Sequence, residues 1–260
     1  MPSKTLQSAG PRFLLPSLGL EAVELGRWID TLPVDLLQAL MSEAKARVYK
    51  KGEVLFRKGE VADGLYFIDV GEVSSSTVSE DGREYLLYLF ESGSCVGLVS
   101  ALDGGVSPST CRAYSDSRVR LIERHVLQRL LEADPRYYQH LLALTLRWVR
   151  GLLGLLEDTA LLGVRARFAK RLLQLAYIYG HADTDGVVIP FKLSQDEWGL
   201  FLGVTRQSVH QQLKDFRARG WISIVHDTVV LLDTEALAAC IKSDIGGHAG
   251  EVGRGTPAGS

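Results

Sequence analysis

Residues 193–220 read LSQDEWGLFLGVTRQSVHQQLKDFRARG and hold the densest grouping of side chains able to read another molecule. Ser194 and Glu197 have the spacing of a capping box, in which the hydroxyl accepts a backbone N–H of the first turn and the carboxylate accepts the N–H of the cap. A helix therefore starts at Gln195, and Gly203 closes it after two turns. Thr205 can cap a second helix. There Val209, Leu213 and Phe216 share one face at i, i+4 and i+7, while Arg206, Gln207, His210 and Gln211 gather on the other near its N-terminus. Helix, glycine turn, helix is the helix-turn-helix arrangement. The N-terminal end of its second helix enters the major groove, where Arg and Gln make bidentate contacts with guanine and adenine edges. The candidate DNA contacts are Ser194, Thr205, Arg206, Gln207, Ser208, His210, Gln211 and Lys214, with Arg217 and Arg219 further along for phosphates. The competing reading is an amphipathic helical hairpin with a solvated polar face.

The surroundings favour the first reading. The runs ISIV and TVVLLD flank His226-Asp227 and predict a short hairpin where a wing would follow the second helix. The 260-residue chain carries 29 Lys plus Arg against 31 Asp plus Glu, a net of -2 that excludes a histone-like or basic-tail protein. That average conceals a division. Residues 164–223 hold nine basic and five acidic residues, a local +4, and both flanking segments are acidic. An acidic remainder beyond a Debye length, about 10 Å, does not cancel a basic interface.

Upstream the pattern changes. Residues 1–30, with a Pro-, Ser- and Gly-rich start, read as a loose N-terminal arm passing into a helix with Leu36, Leu37, Leu40 and Met41 on one stripe. Between Arg47 and Arg124 short runs (VLF, LYFIDV, VSSSTV, EYLLYLF, RVRLIE) alternate with glycine turns, of which Asp81-Gly82 is the clearest hairpin. This is the signature of an antiparallel barrel or sandwich. A long helix follows Asp134-Pro135 to about residue 160, with Leu142, Thr145, Val149, Leu152, Leu156 and Thr159 spaced as an a/d seam. A second row, Leu141, Leu144, Trp148 and Leu155, widens the stripe. Leu162-Gly163 breaks this helix, Arg165–Ile178 forms another, and Gly180–Gly186 (GHADTDG) reads as a loop. A last helix runs from Thr234 to about Ile241.

Several chemistries are excluded by what is missing. All six histidines lie at or beyond His125, so the barrel region has no imidazole for acid–base or metal chemistry. Cys95, Cys111 and Cys240 are an odd, widely spaced set with no zinc-site spacing, which points to a reducing compartment and no metal. The longest apolar stretch, Leu141–Val164, is interrupted by Arg147, Arg150, Glu157 and Asp158, so no membrane span is expected. The N-terminus holds no signal-peptide core. The expected location is the cytoplasm.

The order barrel, long helix, winged helix-turn-helix resembles the cyclic AMP receptor protein and fumarate-nitrate regulator (CRP/FNR) family of bacterial transcription factors. The likeness covers roughly residues 30–240. It is carried by KKGEVLFRKGEVADGLYFIDVGEV (50–73), DGREYLLYLFESGSCVG (81–97), RARFAKRLLQLA (165–176), LSQDEWGLFLGVTRQSV (193–209) and VVLLDTEAL (229–237). The resemblance implies an α+β chain with an N-terminal β-roll sensor, cupin-like or cyclic-nucleotide-binding-like, over 31–133. A central dimerisation helix follows over 134–163 and a winged helix-turn-helix over 164–245, with 246–260 a disordered tail. It further implies a homodimer through Leu142, Thr145, Val149, Leu152 and Leu156, a palindromic double-stranded DNA operator, room for RNA polymerase as a partner, and an effector pocket at Gly97, Leu98, Val99, Ser109, Thr110, Leu152 and Leu153.

Departures from the family pattern bear on effector and operator. Members that bind cyclic nucleotides carry a Glu where Leu98 stands and an Arg for the phosphate. Here the stretch Ser107-Pro108-Ser109-Thr110-Cys111-Arg112 offers an arginine only out of register. Leu152 and Leu153 provide no hydroxyl for a purine. Cyclic AMP is thus not the expected effector, and neither an iron-sulfur cluster nor haem has its ligands, so no cofactor is expected. The alternatives are an apolar or aromatic small molecule, a protein, no effector, or leucines that merely fill a core. In members with Glu at the Gln207 position and Arg at the Gln211 position, those residues read G:C steps. Two glutamines prefer adenine edges, so the operator should differ. Two rival functions compete with this one: a cupin-type metal enzyme, which needs the missing barrel histidines, and a cyclic-nucleotide-type sensor or scaffold that binds protein instead of DNA.

Overall fold

The computed structural model describes residues 31–252 except 81, 83, 191 and 227, and the backbone only from Ile245 onward. The N-terminal arm, Asp81, Asp227 and residues 253–260 lie outside the described residues. The chain divides into two compact units, one ending at Gly151 and the other beginning at Leu152.

The first unit opens with helix α1 (Val34–Ser42), whose Leu36 and Leu40 are fully buried. Eight strands follow: β1 (Lys45–Tyr49), β2 (Val54–Phe56), β3 (Gly64–Val70), β4 (Val73–Val78), β5 (Glu84–Phe90), β6 (Cys95–Val96), β7 (Thr110–Ala113) and β8 (Ser117–Glu123). They form two antiparallel four-stranded sheets, ordered β1-β8-β3-β6 and β2-β7-β4-β5. β3 and β8 pair from Gly64↔Glu123 to Val70↔Arg118 with one bulge, and the β4–β5 hairpin closes through Gly82 at φ 82°. A helix unforeseen in the sequence, α2 (Leu98–Asp103), leaves β6 through Gly97. Only glycine fits there, because φ is 88° and a Cβ would lie 2.5 Å from the Gly64 carbonyl oxygen. Helix α3 (Arg124–Ala133) and the first half of α4 (Arg136–Leu161) complete the unit. Leu36, Leu40, Leu65, Phe67, Leu98, Ile122, Leu127, Leu141 and Leu144 share one core between helices and sheet.

In the second unit α5 (Val164–Tyr179) is the central element, burying Phe168, Leu172, Leu173 and Ala176. GHADTDG, expected as a loop, is instead a hairpin of β9 (His181–Asp183) and β10 (Gly186–Val188). Its strands are three residues each, too short for alternation to show, and β10 is held by pairing with β12. Helices α6 (Gln195–Leu202) and α7 (Arg206–Ala218) precede the hairpin β11 (Ile222–Val225) and β12 (Thr228–Leu231), giving the sheet order β11-β12-β10-β9. Helix α8 (Thr234–Val252) packs along α5. It passes the expected end near Ile241 and takes in residues 246–252 of the expected disordered tail. Once nucleated a helix propagates at little cost, and Asp244 on α8 is anchored by accepting the Gly163 N–H at 2.7 Å. Among the described residues no helix is long and apolar enough to cross a membrane.

Candidate functional site

The two helices of the 193–220 segment are set by side-chain caps. Ser194 accepts the Glu197 N–H at 3.2 Å while Glu197 accepts the Ser194 N–H at 2.7 Å, completing the capping box. Gly203 ends α6 in the left-handed region at φ 65°. Two residues on, Thr205 caps α7 by accepting the Ser208 N–H at 3.2 Å. Both hydroxyls thereby serve the backbone first, and Ser208 also meets the Thr205 hydroxyl at 3.0 Å.

Below α7 lies an aromatic core. Phe216 is fully buried between Phe168, at 5.8 Å between ring centroids, and Trp221, at 5.4 Å, and Phe168 meets Trp198 at 5.2 Å. Val209 and Leu213 fill the same face. The opposite face is solvent: Arg206, Gln207, His210, Gln211, Lys214 and Arg217 are exposed. One turn of Arg, Gln, His and Gln is thus presented from a rigid helix end whose positive dipole favours phosphate.

Contacts between remote segments engage several of these side chains. Arg206 pairs with Asp196 of α6 at 3.2 Å, so its guanidinium must be released or shared before it can read a base. His210 Nδ1 meets the Gln195 side-chain amide at 3.3 Å, tying the two helices together. Arg219, expected to reach phosphate, is held at 3.0 Å by Asp215 and lies over the Trp221 ring. Arg165 approaches the same carboxylate at 2.9 Å. The one legible sign of these pairings was the i, i+4 spacing of Asp215 and Arg219.

On α4, Leu142, Val149, Leu152 and Leu156 of the expected dimer seam are exposed, as are Leu146 and Leu153. Thr145 is half-buried and donates to the Leu141 carbonyl at 2.9 Å. Leu141 and Leu144, of the second row, are buried in the barrel core.

The expected effector pocket is only partly assembled. A cavity of about 40 Å³ is lined by Gly97, Leu98, Val99 and Ser109 as expected, together with Phe56, Ser75, Phe90, Val96, Ser100, Ser107, Pro108, Cys111 and Trp148. Thr110 does not line it, since its hydroxyl accepts the Lys58 N–H at 3.0 Å. Leu152 and Leu153 belong to the other compact unit and are 57% and 59% exposed. No charged side chain is among the lining residues. Arg112 is turned away, donating to the Gly52 carbonyl, and is exposed. Burial pushes the Cys111 thiol up to about 12, against the lowering effect of the Ser75 and Ser109 hydroxyls, so it stays protonated. No group of three or more His, Cys, Asp or Glu able to hold a metal occurs among the described residues.

Residues 46–134 match the family model of the cyclic nucleotide-binding domain, and residues 166–240 match that of the Crp-like helix-turn-helix domain. A CRP-like cAMP-activated global transcriptional regulator of Mycobacterium tuberculosis is 30% identical over 78% of this chain and 90% of its own. The anaerobic regulatory protein of Bacillus subtilis is 24% identical over 81% of this chain and 89% of its own. Among solved structures, a CooA mutant from Carboxydothermus hydrogenoformans superposes with a TM-score of 0.68 at 20% identity, covering 82% of this chain and 98% of that one. At these identities the structural likeness speaks for the fold.

Proposed function

The chain belongs to the CRP/FNR family of transcription regulators and carries its helix-turn-helix DNA-binding domain, and from that premise we propose that it acts as a homodimer on a two-fold symmetric operator, without a cyclic nucleotide as effector. The observation that carries this reading is the two-faced α7. Val209, Leu213 and Phe216 are locked in an aromatic core while Arg206, Gln207, His210, Gln211 and Lys214 stand in solvent.

Dimerisation follows from the α4 stripe. Leu142, Leu146, Val149, Leu152, Leu153 and Leu156 are exposed at between 43% and 66% along one helix. Burying a leucine contributes roughly 1.5–3 kcal/mol, so a second copy of the helix is the self-complementary partner such a stripe calls for. Two copies of α7 would then meet half-sites about 34–36 Å apart. RNA polymerase is the partner through which a regulator so placed on DNA acts, and the cytoplasm is where it would do so.

The cAMP activation in the names of several relatives does not carry over to these residues. Leu98 is buried where those members hold a carboxylate, and no cation lines the cavity. A phosphate there would be desolvated without a partner, at a cost of several kcal/mol. The base-reading end supports an operator of its own kind: Gln207 and Gln211 suit adenine edges, with Arg206 the guanine or phosphate contact. The test is selection of bound duplexes from a random library with purified protein, followed by anisotropy on the winner. A palindrome with adenines at the Gln-facing steps and steep salt dependence is expected. Recovery of the unmodified family consensus, with Gln207→Ala binding as wild type, would overturn the base-reading assignment.

A further inference from the structure

The barrel cavity is small because an aromatic side chain of the chain itself stands in it. Trp148 of α4 stacks on Phe90 of β5, with ring centroids 5.4 Å apart and planes 18° from parallel. Phe90 is buried and in turn meets Tyr88 at 4.7 Å. The remaining space is about 40 Å³. That holds one to three waters, whereas pockets for drug-sized ligands run to ~300–1,000 Å³.

The polar groups around this space are occupied within the protein. Ser75 donates to the Ser109 hydroxyl at 2.8 Å, Ser107 to the Ser109 carbonyl at 2.8 Å, and Ser100 to the Gly105 carbonyl at 2.6 Å. The indole N–H of Trp148 is the exception, buried with no acceptor among the described residues. Stacking and surface contact, not a polar anchor, therefore hold the ring. A ring held only by contact can be replaced by a free ring of the same shape.

We infer that Trp148 is the built-in occupant of the barrel cavity, its indole stacked on Phe90 where a diffusible effector would otherwise enter. The inference rests on the reading of this cavity as one that admits no cyclic nucleotide. It assigns the barrel a structural state set by its own sequence instead of by a metabolite. Truncating Trp148 leaves a void on the order of 100 Å³ against the Phe90 ring, and an apolar void of about 150 Å³ accepts benzene in another protein.

The test is calorimetric titration of the full chain with indole and, separately, cyclic AMP, with no DNA present. Wild type is expected to bind neither up to ~1 mM. Trp148→Ala is expected to melt at a lower temperature, to bind indole with a Kd of about 0.1–1 mM, and to regain part of the lost melting temperature when indole is added. Trp148→Phe should bind no indole. Uptake of cyclic AMP by wild type would overturn both the inference and the nucleotide exclusion beneath it. A folded Trp148→Ala that takes no indole would overturn the inference alone. If Trp148→Ala does not fold, Trp148→Val titrated with benzene decides by the same criterion.

Discussion

The exposed face of α7 and the barrel cavity use polar side chains in opposite ways. On α7 the polar residues Gln207, Gln211, Lys214 and Arg217 stand in solvent and the apolar ones are buried beneath. Around the cavity, Ser75, Ser100, Ser107 and Ser109 bond to one another or to backbone carbonyls, and aromatic rings fill what is left. A surface that reads DNA must keep donors and acceptors for a partner that arrives later. The cavity satisfies its serines from within the protein, the Trp148 indole N–H being the exception, because an unpaired buried polar group costs about 1–3 kcal/mol.

This contrast can be broken or sharpened by experiment, the largest effect first. Phe216→Ala removes the ring between Phe168 and Trp221 that supports the exposed face of α7. It should destabilise the helix-turn-helix unit by about 3–5 kcal/mol, read as a large fall in its melting temperature. A mild effect would mean that α7 is held by something other than its buried face. Arg206→Ala should weaken operator binding by roughly 10- to 100-fold and relax preference at one base step, measured by anisotropy on single-step operator variants. A uniform loss across variants would make Arg206 a phosphate contact. Lys214→Ala should lower affinity equally on all sequences and reduce the slope of log affinity against log salt by about one. Asp196→Asn frees the Arg206 guanidinium from its 3.2 Å partner and removes one anion from the proposed interface. A gain of ~two- to fivefold in affinity is expected, in keeping with an exposed ion pair. On the cavity side the expected effect is none. With its pKa pushed up to about 12 by burial, the Cys111 thiol should resist iodoacetamide at neutral pH in the native protein. Rapid alkylation there, located by mass spectrometry, would show the cavity open.

Legibility in the sequence followed the range of the interactions. Ser194, Glu197, Gly203 and Thr205 act within three or four residues of themselves, and the helix starts they predict at Gln195 and after Thr205 are the ones observed. The strands at VLF, LYFIDV, VSSSTV, EYLLYLF and RVRLIE were equally readable from composition and glycine punctuation. The β9–β10 hairpin escaped because three-residue strands carry no period, and α2 because Leu98–Asp103 is too short to show one. The long helix α4 limits legibility in a different way. Two apolar rows run along α4, and spacing alone cannot say which one turns toward the barrel.

What the sequence by itself determined was the succession of barrel strands, long helix and helix-turn-helix, the caps and the two-faced pattern of α7. All of these depend on residue type and short spacing, which the chain states directly. Tertiary structure alone decided which side chains meet across long separations: Trp148 over Phe90, Arg206 against Asp196, Asp244 at the Gly163 N–H, and Arg112 turned to the Gly52 carbonyl. Those contacts form only when packing brings remote segments together, and they decide whether a cavity is open or filled and whether an arginine is free to read. Periodicity announces that a face exists; the neighbour that covers it is chosen by the fold.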